Sequence, residues 1–464
     1  MRPPVLAAAI VALGAASPPD PLAAIAAANG HAAAVHLRAG IARVVEGRTV
    51  TTTLDQLGTR RLVRRCVGEV CEGSWFDGTT EWSFGLNEVV LPETHDAATV
   101  TSRTLFAIVS YAFAEPAFRA GGGTVAAAGR ERWRVQAPDG APLVAELDPA
   151  SKAVLRIESA DGHPIARYER VARAGGASFA LSRTGALESG SFDEVRAVTE
   201  PLAAPPGVLA ALAGPDTLPL SAEAVPIVPC RLGGRSARCL LDTGATPSAM
   251  TLPFAEALRL EPHGELEISG FGHFATGFVE AGPLLLGPAR FEHARFAVIP
   301  QSQAAGFDVV VGSDLLARVR VVFDRARRSL RILSAGSSTP GPEAIPLTFR
   351  EGSPVIELAY GSNRAPALLD TGDQSILSIG YAAYRLGPQW PVLERGQALG
   401  ITGAEDMFSV EIPSVRVGRL SLGTSRATVR RTQALPHVGI GLWDRFVVDL
   451  DEGGARISYF APIR

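Results

Sequence analysis

The chain has 464 residues, which exceeds one ordinary hydrophobic core, so two or three domains are expected. Its 44 Lys and Arg residues nearly balance 47 Asp and Glu residues, and the net charge of -3 gives no electrostatic basis for binding nucleic acid. Hydrophobic residues at 47%, with 48 glycines and 34 prolines, are typical of a globular protein rich in turns, so we predict a mainly β fold.

The N-terminal segment, MRPPVLAAAIVALGAASPPD, has the order of an export signal. One arginine precedes an apolar run over residues 5–16, and small residues with prolines follow. The run is too short to span a bilayer, and no other segment reaches the roughly 18 uninterrupted apolar residues of a membrane helix. A short buried helix is the alternative. We predict a signal peptide at residues 1–19, export to the periplasm or the medium, and no transmembrane segment.

The block that follows, residues 20–205, alternates apolar and polar residues between turn signals. In ERWRVQAPDGAPLVAELDPASKAVLRIESADGHPIARYERV, the turns APDG and SADG separate such runs, which predicts antiparallel hairpins. Over residues 30–195 the block resembles the unclosed β-barrel of periplasmic lipoprotein carriers of the LolA and LolB type. In such a domain Trp75, Phe76 and Trp82 could line an apolar groove, although aromatic residues packed in a core are the interpretation we favour.

Four cysteines form two local pairs, which an exported protein could oxidise. In CVGEVC, a two-residue turn at Gly68-Glu69 would place Cys66 directly opposite Cys71 on a hairpin. Reduced, buried cysteines are the alternative. No histidine lies near either pair at ligand spacing, so a zinc site is not expected.

The second cysteine pair lies in CRLGGRSARC and depends on the register of one turn. A turn at Gly234-Arg235 would place Cys230 opposite Cys239, whereas a turn at Gly233-Gly234 would not. The sequence permits this disulfide without fixing it.

The two blocks that follow the linker EPLAAPPG repeat one another. Asp242 in CLLDTGATPSAM and Asp370 in ALLDTGDQSIL are 370 − 242 = 128 residues apart. Downstream, Gly312 of VVVGSDLL and Gly441 of GIGLWDRF are 441 − 312 = 129 residues apart, so the offset holds across a lobe. Each block opens with a hairpin whose second apolar strand ends at the aspartate. We therefore predict duplicated domains.

An aspartate followed by Thr-Gly on each lobe is suited to acid-base catalysis by a pair of carboxyl groups. Glycine permits a tight turn beside the carboxylate, and a threonine hydroxyl can bond to the partner lobe. Apolar flanks keep the surroundings dry, so Asp242 and Asp370 cannot both ionise if they face each other. The ionised member can take a proton from water while the other donates to a carbonyl, without metal or cofactor. A single Asp-Thr-Gly would indicate no more than an Asx-type turn.

The repeated LLDTGAT and LLDTGDQ, with the later VVVGSDLL and VGIGLWDRF, resemble a bacterial aspartic protease made of two fused retropepsin-like domains. The resemblance implies two pseudo-twofold-related β-barrel lobes, with Asp242 and Asp370 as the catalytic dyad. It also implies that an extended polypeptide substrate binds beneath two flap hairpins. The residues that would shape and interlock the loops are Thr243, Gly244, Thr371 and Gly372, and the flap candidates are Gly270, Phe271, Gly272, Gly400, Ile401 and Thr402.

The second lobe departs from this pattern in two places. Its motif continues with Asp373, a third carboxylate, where the first lobe has Ala245. Pointing inward, Asp373 would disturb the shared proton; pointing outward, it would be a solvated loop charge, which we favour because unpaired burial is costly. The two apolar residues before the downstream glycine of the first lobe are also replaced, since the second lobe reads Gly439-Ile440-Gly441.

The sequence therefore predicts an exported aspartic endopeptidase that needs no cofactor. The alternative is a non-catalytic protein that kept this architecture and binds a peptide or lipid. The eight histidines form no zinc-hydrolase motif, and the sequence has no serine-hydrolase elbow or phosphate loop. The oligomeric state is not indicated. The predicted segments are a signal peptide at 1–19, an N-terminal antiparallel β domain, unclosed-barrel in form, at 20–205, and two lobes at 215–335 and 345–464.

Overall fold

A computed structural model describes most of the chain, which is mainly β and forms several sheets. The described residues are 20–30, 35–45, 47–93, 97–181, 184–185, 192–214, 216–269, 273–300, 306–337, 344–400 and 403–460, with only the backbone described at 97–100, 170, 184–185, 269 and 273. The predicted signal peptide lies outside them. The two compact units are residues up to Leu37 with Val100–Val198, and Arg38–Thr99 with Thr199–Arg464. Within the described ranges, no helix is long and apolar enough to cross a membrane.

The second unit begins with an antiparallel meander of six strands, in which each strand pairs with the next along the chain. In its second strand Val50, Thr52 and Leu54 are buried in alternation, as expected of a half-buried strand. Cys66 and Cys71 lie directly opposite each other across a Gly68-Glu69 turn and form a disulfide. The strands are β1 (Leu37–Val45), β2 (Arg48–Leu57), β3 (Arg60–Val67), β4 (Val70–Phe76), β5 (Glu81–Phe84) and β6 (Leu91–Pro92).

The first unit combines short helices with an antiparallel sheet and a separate hairpin. The helices are α1 (Pro21–Asn29), α2 (Ala97–Val109) and α3 (Pro116–Ala120), with a 3-10 turn at Ala112–Ala114. The strands are β7 (Thr124–Gly129), β8 (Arg132–Gln136), β9 (Leu143–Leu147), β10 (Val154–Ser159), β11 (Pro164–Arg167), β12 (Arg170–Ala174), β13 (Ala177–Leu181), β14 (Thr184–Gly185) and β15 (Glu194–Ala197). The sheet order is β14-β11-β10-β9-β8-β7. APDG and SADG separate β8 from β9 and β10 from β11, as the alternation predicts.

The second unit continues with a lobe over residues 210–334, here lobe 1. Its strands are β16 (Ala210–Leu212), β17 (Thr217–Pro219), β18 (Ile227–Leu232), β19 (Arg235–Asp242), β20 (Ala249–Thr251), β21 (His263–Ser269), β22 (His273–Ala281), β23 (Leu284–Leu286), β24 (Ala289–Phe291), β25 (Ala294–Ile299), β26 (Val309–Gly312), β27 (Val319–Asp324) and β28 (Ser329–Ser334). Its helices are α4 (Leu252–Ala257) and α5 (Ser313–Leu316). Ten strands form one sheet in the order β16-β24-β23-β18-β19-β26-β20-β25-β22-β21.

Residues 344–460 form lobe 2, which repeats the same sequence of elements. Its strands are β29 (Ala344–Pro346), β30 (Thr348–Arg350), β31 (Ser353–Tyr360), β32 (Asn363–Asp370), β33 (Leu377–Gly380), β34 (Val392–Gly400), β35 (Gly403–Val417), β36 (Leu420–Arg430), β37 (His437–Gly439), β38 (Val447–Asp451) and β39 (Arg456–Phe460). Its helices are α6 (Tyr381–Leu386) and a 3-10 helix at Ile440–Arg445. The sheet order is β30-β31-β32-β37-β33-β36-β35-β34.

A six-stranded sheet joins the two lobes, in the order β17-β28-β27-β38-β39-β29. The hairpin that ends lobe 1 pairs with the hairpin that ends lobe 2, for example at Val321 and Leu450. Phe323 of lobe 1 packs edge-on against Trp443 of lobe 2, with ring centroids 4.6 Å apart, and both side chains are buried. Matching elements from the two lobes are therefore placed symmetrically around a shared core.

The hairpin β18-β19 has the register that we did not expect to pair its cysteines. The turn is Gly233-Gly234, so Cys230 lies opposite Ala237 rather than Cys239. The two cysteines form a disulfide nonetheless, with their Cα atoms 5.9 Å apart. Diagonal neighbours on one face of a hairpin remain within reach of each other, which is why direct opposition is not required.

Candidate active site

The two repeated aspartates each end the central apolar strand of their lobe. Asp242 lies beside Gly312 on the parallel strands β19 and β26, and Asp370 lies beside Gly439 on β32 and β37. Gly439, rather than Gly441, is therefore the structural counterpart of Gly312, at an offset of 439 − 312 = 127. Counting the repeat at 129 was wrong because lobe 2 is two residues shorter here, which the sequence alone does not reveal.

Each aspartate loop closes on its own glycine and on the opposite carboxyl group. Gly244 N donates to Asp242 Oδ1 and Gly372 N donates to Asp370 Oδ1, both at 2.9 Å. A Cβ added to Gly244 would lie 2.6 Å from the Asp370 carboxyl carbon, and one added to Gly372 would lie 2.6 Å from Asp242 Oδ2. Glycine is required at both positions because a side chain would displace the opposite carboxylate.

The threonines after the aspartates interlock the loops across the lobe boundary. Thr243 N donates to Thr371 Oγ1 at 3.0 Å, and Thr371 N donates to Thr243 Oγ1 at 3.1 Å. The two hydroxyls in turn donate to the carbonyls of Leu369 and Leu241. Both threonines are fully buried, so these four bonds fix the aspartates relative to each other.

The two carboxyl groups are hydrogen-bonded to each other and have unequal acidity. Burial, followed by the charge of Asp370, raises the pKa of Asp242 well above its usual value. Burial also acts to raise the pKa of Asp370, but the hydrogen bond and charge of His437 outweigh it, and the pKa of Asp370 lies below its usual value. One proton is then held by the pair, on Asp242.

Asp373 points inward, so the expectation of a solvated loop charge was wrong. Its side chain is only 10% exposed. Its Oδ1 accepts from Ser375 N at 2.8 Å and Ser375 Oγ at 2.7 Å, and its Oδ2 accepts from Ser378 Oγ at 2.7 Å. Nη1 of Arg430 lies 3.8 Å from Oδ2. Burial is tolerated because hydrogen-bond donors and a cation compensate the lost hydration.

His437 is a site residue that our sequence interpretation missed. It begins β37 and its Nδ1 lies 2.9 Å from Asp370 Oδ2 and 3.9 Å from Asp373 Oδ2. We searched the histidines only for zinc motifs, and the offset of 129 concealed its position. Aligning its strand on Gly312 and Gly439 would have placed it two residues before the downstream glycine, beside the aspartate strand.

Two antiparallel hairpins occupy the positions predicted for flaps. In lobe 1 the arms are β21 and β22, with Ile268 opposite Phe274. In lobe 2 the arms are β34 and β35, with Gly400 opposite Gly403 at the end of the ladder. The other candidate tip residues, Gly270, Phe271, Gly272, Ile401 and Thr402, lie outside the described residues, and the flap role stays a prediction.

One group of described side chains has the residue types that bind metal ions. Donor atoms of Asp370, Asp373 and His437 lie within 4.8 Å of one another. Both oxygens of Asp373 already accept hydrogen bonds from Ser375 or Ser378, and Oδ1 of Asp370 accepts from its own loop. The arrangement is that of a hydrogen-bonded acid pair with a neighbouring imidazole, which is suited to moving protons.

The fold and site define a class of protein with two matched lobes and one aspartate from each. Comparison with known families agrees for lobe 1, because a model of the aspartyl protease family matches residues 228–315. This stretch is an aspartyl protease domain and includes Asp242 and Gly312. No curated protein matches the chain.

Proposed function

We propose that the chain is an aspartic endopeptidase with two fused retropepsin-like lobes and the dyad Asp242 and Asp370. The observation that carries the proposal is the pairing of these carboxyl groups, which come from equivalent loops and whose pKa values are shifted in opposite directions. An acid and a base held together at one pH are what hydrolysis through an activated water requires. The aspartyl protease match over residues 228–315 supports the same class.

In this mechanism Asp370 is the base and Asp242 the acid. Asp370 takes a proton from a water molecule as its oxygen attacks the peptide carbonyl, and Asp242 gives its proton to the carbonyl oxygen. The tetrahedral intermediate then breaks at the C–N bond, with a proton passing to the leaving nitrogen. No covalent bond to the protein forms, and Thr243 and Thr371 keep the two carboxyl groups in register throughout.

The proposed substrate is an extended polypeptide. The hairpins β21-β22 and β34-β35 belong to the same sheets as the aspartate strands. Their arms offer main-chain groups to a substrate strand, and strand addition gives affinity that depends little on side chains. We also propose that the protein is exported, since two disulfides suit an oxidising compartment and the segment at 1–19 has the order of a signal.

The test is digestion of a peptide library by the wild type and by Asp242→Asn and Asp370→Asn. We expect each variant to lose about 10² to 10⁴-fold in kcat/KM, because each removes one of the two proton-transfer groups. Cleavage by the wild type should be blocked by a transition-state inhibitor of aspartic proteases.

The matched control for these substitutions is Asp161→Asn, since Asp161 is an exposed carboxylate in the first unit. It should cleave like the wild type. If the wild type binds peptides but releases no products, or if either dyad variant keeps full activity, the endopeptidase proposal is wrong. The first of these results would favour the non-catalytic binding protein.

A further inference from the structure

The two lobes differ in chemistry at the same positions beside their aspartates. Strand registers identify the counterparts: two residues before each aspartate, the chain pairs with Val310 in lobe 1 and with His437 in lobe 2. In the loops, Ser313 N donates to the carbonyl of Ala245 at 3.0 Å, and its counterpart in lobe 2 donates to the carbonyl of Asp373 at 2.8 Å. An aliphatic pair in lobe 1 is therefore a histidine and a carboxylate in lobe 2.

Two further positions show the same exchange. Val310 pairs with Ala249 in lobe 1, and His437 pairs with Ser378 in lobe 2. Two residues further along these short strands, the neighbouring parallel strand contributes Ile299 in lobe 1 and Arg430 in lobe 2. In lobe 1 these residues belong to an apolar cluster of Ile227, Leu240, Ala249, Ala297, Ile299, Phe307 and Val310.

The lobe 2 residues form a buried polar cluster instead, defined as Asp373, Ser378, Glu405, Arg430 and His437. Charges alternate along it, since His437 lies between Asp370 and Asp373, and Arg430 lies between Asp373 and Glu405, whose Oε2 is 3.6 Å from Arg430 Nε. The charged side chains of the cluster are between 7% and 17% exposed. The aspartate of lobe 1 faces only apolar neighbours on this side of its strand.

Burying such a set of charges costs more free energy than the apolar cluster that occupies the same positions in lobe 1. Stability therefore does not account for the exchange. Within the cluster, Ser378 and Arg430 compensate Asp373, and Glu405 compensates Arg430. The shortest contact of His437 is to Asp370, so the charge of the imidazole acts mainly on one member of the dyad.

We propose that His437 is a positioning residue that holds Asp370 in its ionised form and so leaves the single proton of the dyad on Asp242. This inference rests on the proposed endopeptidase function and deepens it, because two nearly symmetric loops would otherwise share the proton equally. The directions of the two pKa shifts agree with this assignment. The charged groups that face His437 are Asp370 at the end of β32, Asp373 in the next loop and, behind them, Arg430 on β36, Glu405 on β35 and Asp242 of lobe 1.

The first test is the pH profile of kcat/KM for His437→Val, which introduces the residue that lobe 1 has at this position. Activity requires ionised Asp370, so it falls on the acid side as that carboxylate takes up a proton. Without the neighbouring cation Asp370 binds its proton more tightly, and we expect the acid limb to move up by about one pH unit or more. The maximum kcat should change less than the position of this limb.

His437→Gln removes the charge but keeps a polar side chain, and we expect the same displacement of the acid limb. His293→Gln is the matched control, because His293 also contacts a carboxylate but is 83% exposed and far along the chain from the dyad loops. Its profile should match the wild type. An acid limb that stays in place in both His437 variants, with the fold intact by thermal unfolding, would overturn the proposal.

A second measurement does not depend on activity. The titration of the Asp370 carboxyl group can be followed by carbon-13 NMR and assigned by its loss in Asp370→Asn. We expect its midpoint to be higher in His437→Val, and in His437→Val with Asp373→Ala, than in the wild type. An unchanged midpoint refutes the role of His437 even if the wild type cleaves peptides. A raised midpoint in a protein that cleaves nothing supports the role of His437 and refutes the endopeptidase.

Discussion

Thr243 and Thr371 show how two residues can fix the geometry of a site that is split between lobes. Each uses its hydroxyl both to accept from the partner's backbone and to donate to a carbonyl at the end of the partner's aspartate strand. Because both are fully buried, water cannot replace a lost bond. The role assigned to them by resemblance has a direct physical basis in these contacts.

Replacing Thr371 with valine keeps the branched shape and removes the hydroxyl. Thr243 N and the carbonyl of Leu241 are then left without partners, at a cost of about 1–3 kcal/mol each. We expect a lower free energy of unfolding in urea and a lower kcat. Thr371→Ser keeps the hydroxyl and should lose much less. Equal stability of the valine and serine variants would show that these bonds do not hold the loops.

Some of the site could be predicted from sequence and some could not, for a reason visible at the level of single residues. Asp242 and Asp370 belong to a motif whose duplication is readable along the chain. The directions of Asp373 and His437 depend instead on a parallel strand that arrives more than sixty residues after the aspartate, as the pairing of Asp370 with Gly439 shows. No local pattern records that register.

At the scale of elements, the segment after β5 belongs to the core of lobe 1. Val89 and Leu91 are buried in the same cluster as Leu241 and Val311. The composition of the chain breaks only near residue 200, yet Arg38–Thr99 packs with the lobes. Packing between distant segments leaves no mark on local alternation, so hairpins can be predicted from sequence more readily than the partners of a sheet.

Asn87 connects this segment to the loops of lobe 1. Its side chain donates to Asp314 Oδ2 at 2.7 Å and to the carbonyl of Arg295 at 2.9 Å, and accepts from Arg295 N at 2.8 Å. Asp314 also accepts from Ser248, whose hydroxyl accepts from Gly312 N beside Asp242. The amide thus completes the hydrogen bonding of a buried carboxylate behind the active-site loop.

We expect Asn87→Ala to lower the free energy of unfolding by about 1–3 kcal/mol, because it leaves buried polar groups unsatisfied. Gln397→Ala is the control, since Gln397 makes an exposed amide-to-carboxylate bond with Asp406 at 3.3 Å. Its loss should be within about 0.5 kcal/mol. Chemical unfolding of both variants decides the matter, and equal losses would mean that the segment is not part of the lobe core.

At the scale of the whole molecule, acidic side chains are concentrated where the lobes join. Glu452, in the turn between β38 and β39, is 1% exposed. Burial raises the pKa of Glu452 well above its usual value, and the charges of Asp314 and Asp451 raise it further. Burial likewise raises the pKa of Asp314, although hydrogen bonds from Ser248 and Asn87 oppose the shift. This junction therefore favours protonated carboxyl groups.

The sign of the resulting pH dependence follows from linkage. A carboxyl group whose pKa is higher in the folded protein than in the unfolded chain contributes its full stability below the unfolded value of about 4.3. That contribution is lost as pH rises toward the folded value, since only the unfolded chain then releases the proton. The Glu452 carboxyl should therefore make the protein less stable at neutral pH than at mildly acidic pH.

Glu452→Gln tests this, because the amide cannot ionise. We expect the free energy of unfolding of the variant, relative to its parent, to increase by at least about 1.4 kcal/mol between pH 4 and pH 8, the equivalent of one pKa unit. Comparing two pH values cancels any packing cost of the substitution. Urea unfolding in the Asp242→Asn background avoids self-digestion. Glu357→Gln, at a site that is 63% exposed, should show no such change, and a flat difference for Glu452→Gln would place ionised Glu452 in the folded protein.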